Sequence, residues 1–347
     1  KFYNLNLAAS TKTTTIQSHI VFSHVVTVGA GTVTDDTSDF KLIARLGSGD
    51  HTPVVITTGA TVSIYGIAYN PTSASSTISM EDGNYGSARI EVRGGETGQT
   101  FNLTGSVTTT SGFLIQSQDG ASNTFNTQGY GMTIGSSFTI GWSTGDTGTN
   151  TINFGSSTVS VGNSFQVQSN AGSHNLNLGS SSFSVGGSYY LANGTGAITQ
   201  DPGTSTVTFL GYNSYNQDLT TNSQPFNNVV LNNDEGTYDD LVVTGTLDVN
   251  GYLTVTDGNL DLDTNDAALD LEGNMTIGAS GAYNASSSAS QNIGGDFINS
   301  GTFSHNSGTI TLDGTSKNLA LNVATIFNNL TLSGTYTTAN RFTITGN

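Results

Sequence analysis

The chain repeats itself at a nearly fixed period. Four stretches align: FNLTGSVTTTSGFLI from Phe101, FNTQGYGMTIGSSFTI from Phe125, INFGSSTVSVGNSFQV from Ile152 and LNLGSSSFSVGGSYYL from Leu176. Their starts lie 24, 27 and 24 residues apart. In the last three copies Met132/Ile134 correspond to Val159/Val161 and Phe183/Val185. Phe138/Ile140 correspond in the same way to Phe165/Val167 and Tyr189/Leu191. Each unit holds three short pieces with an apolar residue at every second position, separated by Gly-Ser, Gly-Asn or Gly-Gly. Period-two alternation buries one face and wets the other, and the pieces are too short for helices. Such a unit is one coil of a parallel β-helix, with each strand paired to its copy one coil away.

This reading predicts an all-β, parallel β-helix (β-solenoid) with about 24 residues per coil. It places Ile134, Phe138, Val161, Phe165, Val185 and Tyr189 inside as stacked neighbours. Asn102, Asn126, Asn153 and Asn177 each follow the first apolar residue of a unit. They are expected to form a ladder that satisfies buried polar groups. At this period the chain would make roughly fourteen coils. Residues 101–225 carry the regular coils. Residues 226–347 keep the alternation in another phase, with pairs Leu247/Val249, Leu253/Val255, Leu260/Leu262, Leu269/Leu271 and Met275/Ile277. Residues 1–100 are less regular and read as a continuation of the solenoid, with a separate β-sandwich as the alternative.

Composition agrees with a thin core. Gly accounts for 44 of 347 residues and only 10% of the chain is charged, against about 25% in ordinary globular proteins. Cysteine is absent, so no disulfide staples the fold. The net charge of −17 argues against binding nucleic acid through phosphates. No apolar run approaches the ~18 residues of a membrane span. The chain opens at Lys1 without Met or an apolar leader and reads as a mature or trimmed piece.

One hexapeptide recurs as FYNLNL at Phe2–Leu7, FNNVVL at Phe226–Leu231 and FNNLTL at Phe327–Leu332. Together with GTLDVNGYLTV, GTITLDGT and VSIYGIAYN, it resembles repeats of large secreted bacterial and archaeal surface proteins of the filamentous-adhesin and autotransporter-stalk type. That resemblance implies a right-handed winding, an extracellular or cell-surface location and a structural or adhesive role, and it carries over no catalytic residue. A hexapeptide near both ends, without a polar cap, suggests ends that join either another copy or more of a larger chain. The residues expected at that junction are Phe2, Asn4, Leu5 and Leu7 at one end and Phe327, Asn329, Leu330 and Leu332 at the other.

Other constellations are weaker. All eight Lys and Arg lie outside the stretch between Arg93 and Lys317. The regular body therefore lacks the basic residue that a polysaccharide lyase needs, and a carbohydrate-active enzyme is the third choice. Asp239-Asp240 or Asp261-x-Asp263 could pair as hydrolase carboxylates, but alternation with Leu260 and Leu262 favours a solvated acidic face. Calcium is the one cofactor to consider, at Asp261, Asp263 and Asp266. His19, His24, His51, His174 and His305 show no metal spacing and read as surface or turn residues. Trp142 and Tyr189-Tyr190 could stack on sugars; the plainer reading puts alternate members in the core. Of the Asn-x-Ser/Thr sites, Asn193 and Asn284 fall in turn-like stretches and are the expected glycan acceptors. The leading expectation is a structural segment of an extracellular filament, stalk or surface layer that assembles with itself. The alternative is an adhesin or glycan-binding β-helix.

Overall fold

The structure, a computed structural model, describes residues 2–7, 13–18, 20–29, 32–35, 41–46, 50–51, 54–56, 61–63, 66–71, 76–92, 97–141, 146–169, 171–212, 215–236, 239–322, 324–338 and 340–346. Among them it shows a parallel β-solenoid of about 11 turns and no helix. The chain divides into two compact units, Lys1–Ser181 with Ala192–Gln200, and Ser182–Leu191 with Asp201–Asn347.

In the first unit each regular turn contributes strands to three faces. One face stacks Thr77–Met80, Gln99–Leu103, Ser122–Asn126, Thr149–Asn153 and Ser173–Asn177. A second stacks Val107–Thr109, Met132–Ile134 and Thr158–Val161. The third stacks Ala88–Val92, Phe113–Ser117, Phe138–Ile140 and Phe165–Ser169. The repeat alignment is the pairing register: Phe101, Phe125, Ile152 and Leu176 are successive partners, as are Ile134 with Val161 and Phe138 with Phe165. The inward residues interlock along the axis. The Phe113 and Phe138 rings are 5.2 Å apart, and those of Phe138 and Phe165 are 5.4 Å apart, edge to face.

The N-terminal strands are parallel as well. Phe2–Leu7 pairs with Ile20–Val28, Thr13–Ile16 with Thr32–Asp35, and Lys41–Leu46 with Gly66–Pro71. Gly66–Pro71 in turn pairs with Ala88–Val92. The described strands of this region thus pair in parallel, whereas those of a sandwich are antiparallel.

The second unit has shorter turns. Leu247, Leu269, Gln291, Ile310 and Leu330 are successive partners, spaced 22, 22, 19 and 20 residues apart. Its turns close on stacked glycines. A Cβ on Gly273 would run into the backbone of Gly251, and one on Gly295 into that of Gly273. Only glycine lets neighbouring rungs approach this closely. Val185 and Tyr189 are buried here, paired with Phe209 and Leu219.

The recurring hexapeptide does not mark one fixed position. Val229 and Leu231 pair with Leu253 and Val255 on one face, whereas Leu330 and Leu332 pair with Ile310 and Leu312 on another. Alternation fixes which side chains face inward, not which side of the coil a strand joins.

Candidate functional site

Three features offer chemistry: an outer polar face, an acidic turn and the open strand edges. The outer face belongs to the first unit. Along Thr77–Met80 and its partners, the residues between the buried ones point to solvent. One column is Thr77, Thr100, Thr124, Thr151 and Asn175, and the next is Ser79, Asn102, Asn126, Asn153 and Asn177. The asparagines form the expected ladder. Asn126 Nδ2 donates to Asn102 Oδ1 at 2.8 Å, Asn153 to Asn126 at 2.7 Å and Asn177 to Asn153 at 2.5 Å. Its place differs from expectation. These residues are half-buried on the outside, because they alternate with Phe101, Phe125, Ile152 and Leu176, which occupy the core.

The inner counterpart escaped the sequence reading. Asn123, Asn150 and His174 are register partners with at most 3% exposure, so His174 is a core residue rather than the surface or turn residue expected. The signal was present in SNTFN, TNTIN and SHNLN, whose second positions share the phase of the apolar fourth. Burial drives the His174 imidazole down to about 4, against hydrogen bonds to the Gln168 and Ser173 backbone that raise it. Burial also pushes the Asp146 carboxyl up to about 7, opposed by the Ser117 N–H and the Asn150 amide. His24 is exposed against Tyr3, with ring centroids 4.7 Å apart, and His305 accepts the Ser307 N–H within a turn. The side chains of His19 and His51 lie outside the described residues.

The acidic turn of the second unit is already engaged. Asp261 is 6% exposed, not on a solvated face, because its carboxylate organises the turn. It accepts the Asp263 N–H at 2.8 Å, the Thr264 N–H at 3.1 Å, the Thr264 hydroxyl at 2.5 Å and the Asn284 amide at 3.2 Å. Asp263 accepts the Ser287 N–H, and Asp266 accepts the Ser286 and Ser287 hydroxyls. Hydrogen bonds from Ser288 and Ser286 hold the Asp266 carboxyl below the usual range. Among the described residues no group of three or more His, Asp or Glu could hold a metal ion. Asp240 receives amides from Asn216 and Asn259, each at 2.8 Å.

Asn284 departs from expectation. It ends the strand Met275–Asn284 rather than lying in a turn, and its oxygen accepts the Asn306 amide at 2.6 Å. A glycan on this nitrogen would replace one of its two N–H groups, the nitrogen that donates to Asp261. Asn193 likewise ends a strand, Tyr189–Asn193. Tyr189 is buried and Tyr190 exposed, as the plainer reading has it; Trp142 lies outside the described residues.

The edges complete the inventory. Asn329–Leu332 pairs with Thr309–Leu312, and Thr343–Ile344 pairs with Ile326–Phe327. In this last turn Leu332 is 53% and Ile344 48% exposed, while Leu312 one rung below is fully buried. Phe327 stays in the core, ringed by Phe297, Phe303 and Phe342. In the first unit Phe2–Leu7 pairs with Ile20–Val28, leaving Asn4 exposed and Leu7 buried. A shallow cleft of about 400 Å³ opens there beside Asn4, Leu5, His24 and Thr27. Among the described residues no helix is long and apolar enough to cross a membrane.

The chain matches no family model, no curated protein and no solved structure.

Proposed function

We propose that this chain is a structural segment of an extracellular filament, stalk or surface layer, of the kind built from right-handed β-helices, and that its coils continue end to end. The observation that carries the reading is the stacking of parallel strands rung on rung, in which each strand's free edge offers N–H and C=O groups to the next turn; it runs on to Asn329–Leu332, where Leu332 is exposed. Another turn laid on this edge would bury that side chain and complete the ladder. Supplied by another copy, that contact is head-to-tail and extends without closing. Supplied by the same polypeptide, it lengthens one solenoid. Electron microscopy of the purified chain, with intact mass of native material, tests this. Fibres from a species near 36 kDa support self-assembly, and a far longer native chain supports a covalent array. A monodisperse particle that neither polymerises nor comes from a longer chain refutes both.

A second reading, a glycan-binding β-helix, is favoured by the outer face of the first unit. Its Thr and Asn columns are uncharged and regularly spaced, at about 4.8 Å per rung. Such a face suits a neutral, repeating polysaccharide better than an ionic one. Binding on a glycan array, lost on replacing Thr124 and Thr151 by Glu, would separate it from a purely structural role.

A further inference from the structure

The buried column beneath the outer ladder constrains where protons sit. Asn123 Nδ2 donates to Asn150 Oδ1 at 2.6 Å, and the Ser117 hydroxyl donates to the same oxygen at 2.9 Å. With its oxygen engaged, Asn150 offers the next rung only its N–H, and Nδ2 stands 3.0 Å from His174 Nδ1. Nδ1 is therefore a bare acceptor, and the ring hydrogen lies on Nε2, 3.3 Å from the Gln168 carbonyl. A second proton on this ring would have to be placed against the Asn150 N–H.

Asp146 has the opposite need. It has no exposed surface; Oδ1 accepts the Ser117 N–H at 3.3 Å, the Asn150 amide lies near enough to favour the ionised form, and among the described residues Oδ2 has no hydrogen-bond partner. A buried carboxylate with a bare oxygen is poorly stabilised when ionised. The two groups converge on one residue. A Cβ on Gly141 would stand 2.6 Å from His174 Nε2 and 2.9 Å from Asp146 Oδ2. The surrounding strands add no further charge. Residues 113–117, 122–126, 149–153, 165–169 and 198–200 contain no Asp, Glu, Lys, Arg or His, and 173–177 contain only His174. Asp119 and Asp201 are exposed.

We propose that Asp146 and His174 form an inverted proton couple: as the turn folds in mildly acidic water, the pair's one labile proton passes from imidazole to carboxyl, leaving the interior uncharged. In the unfolded chain at that pH the imidazolium carries two N–H bonds and the carboxylate none. On folding, the Nδ1–H bond breaks and an O–H bond forms on Asp146 through exchange with solvent. The proton count is unchanged. Burial moves the two groups in the required directions, to about 7 for Asp146 and about 4 for His174. Taken singly, a raised Asp146 loses stability as pH rises toward 7, and a lowered His174 loses stability as pH falls toward 4. Together the slopes cancel, so the couple shields this turn from acid.

Imidazole nitrogen shifts of the ¹⁵N-labelled full chain provide the test, with the His174 signals assigned by their loss in His174→Gln. A neutral ring protonated on Nε2 is expected to persist down to about pH 5. An imidazolium at pH 6 would mean an Asp⁻–His⁺ ion pair and would overturn the proposal. Denaturation midpoints give an independent reading. Relative to the parent between pH 4 and 6.5, Asp146→Asn should gain stability with rising pH and His174→Gln should lose it, each by about one proton's slope. Variants that track the parent would also overturn it. The nitrogen shifts decide the matter even if Asp146→Asn fails to fold, since their assignment needs only His174→Gln.

Discussion

Val161 is 2% exposed and pairs with Ile134 on the neighbouring rung. An Asp there would bury a carboxylate with no cation in reach, because no Lys or Arg occurs between Arg93 and Lys317. Val161→Asp is expected to cost at least about 3 kcal/mol in chemical denaturation, whereas Val161→Ile should stay within about 1.5 kcal/mol. Gly141 is held by a different constraint. Its φ is +65°, and a Cβ would meet the Gln168 carbonyl, His174 and Asp146 at once. Gly141→Ala should therefore destabilise by more than the ~1 kcal/mol of backbone strain alone. A thermal melt unchanged from the parent would show that this turn can relax.

At the scale of the strand, the two asparagine columns differ in consequence. Asn153 gives one amide bond to Asn126 and receives one from Asn177, on a half-buried face. Asn153→Ala should cost about 1–2 kcal/mol for the pair of net hydrogen bonds. A double-mutant cycle with Asn126→Ala should show coupling, since the residues share one bond. Independent, additive losses would mean that water replaces the ladder freely. The period-two pattern located these strands but did not by itself assign ladders to faces. Asn102 and Asn123 are both polar residues in alternating strands. Only counting from the buried Phe101 and Phe125 shows that Asn102 falls out of phase with the core and Asn123 in phase.

At the scale of the molecule, stability comes from stacking turns, because each turn alone buries too little apolar surface. The last turn of the second unit leaves Leu332 and Ile344 open to solvent. If that edge accepts another turn, Leu332→Asp should abolish or sharply slow growth into fibres while changing the denaturation midpoint little, since the side chain is already exposed. Light scattering over time would record this. Growth at the parent's rate would place the assembly contact elsewhere.

Over residues 101–191 the sequence by itself determined the strand pattern, the parallel pairing register and the apolar part of the core, because a solenoid reads its own repeats: residues one period apart become neighbours. Ile134, Phe138, Val161, Phe165, Val185 and Tyr189 are all buried for that reason. Tertiary structure decided what depends on corners and on three-dimensional closure. It put the hexapeptide copies at Phe226 and Phe327 on different faces, since two residues of alternation look the same on every side of a coil. It turned Asp261 inward to cap its own turn, although its neighbours suggested a solvated strand. It also brought Gly141, Asp146 and His174 together across separate strands and turns, a convergence set by how the backbone bends and not by spacing along the chain.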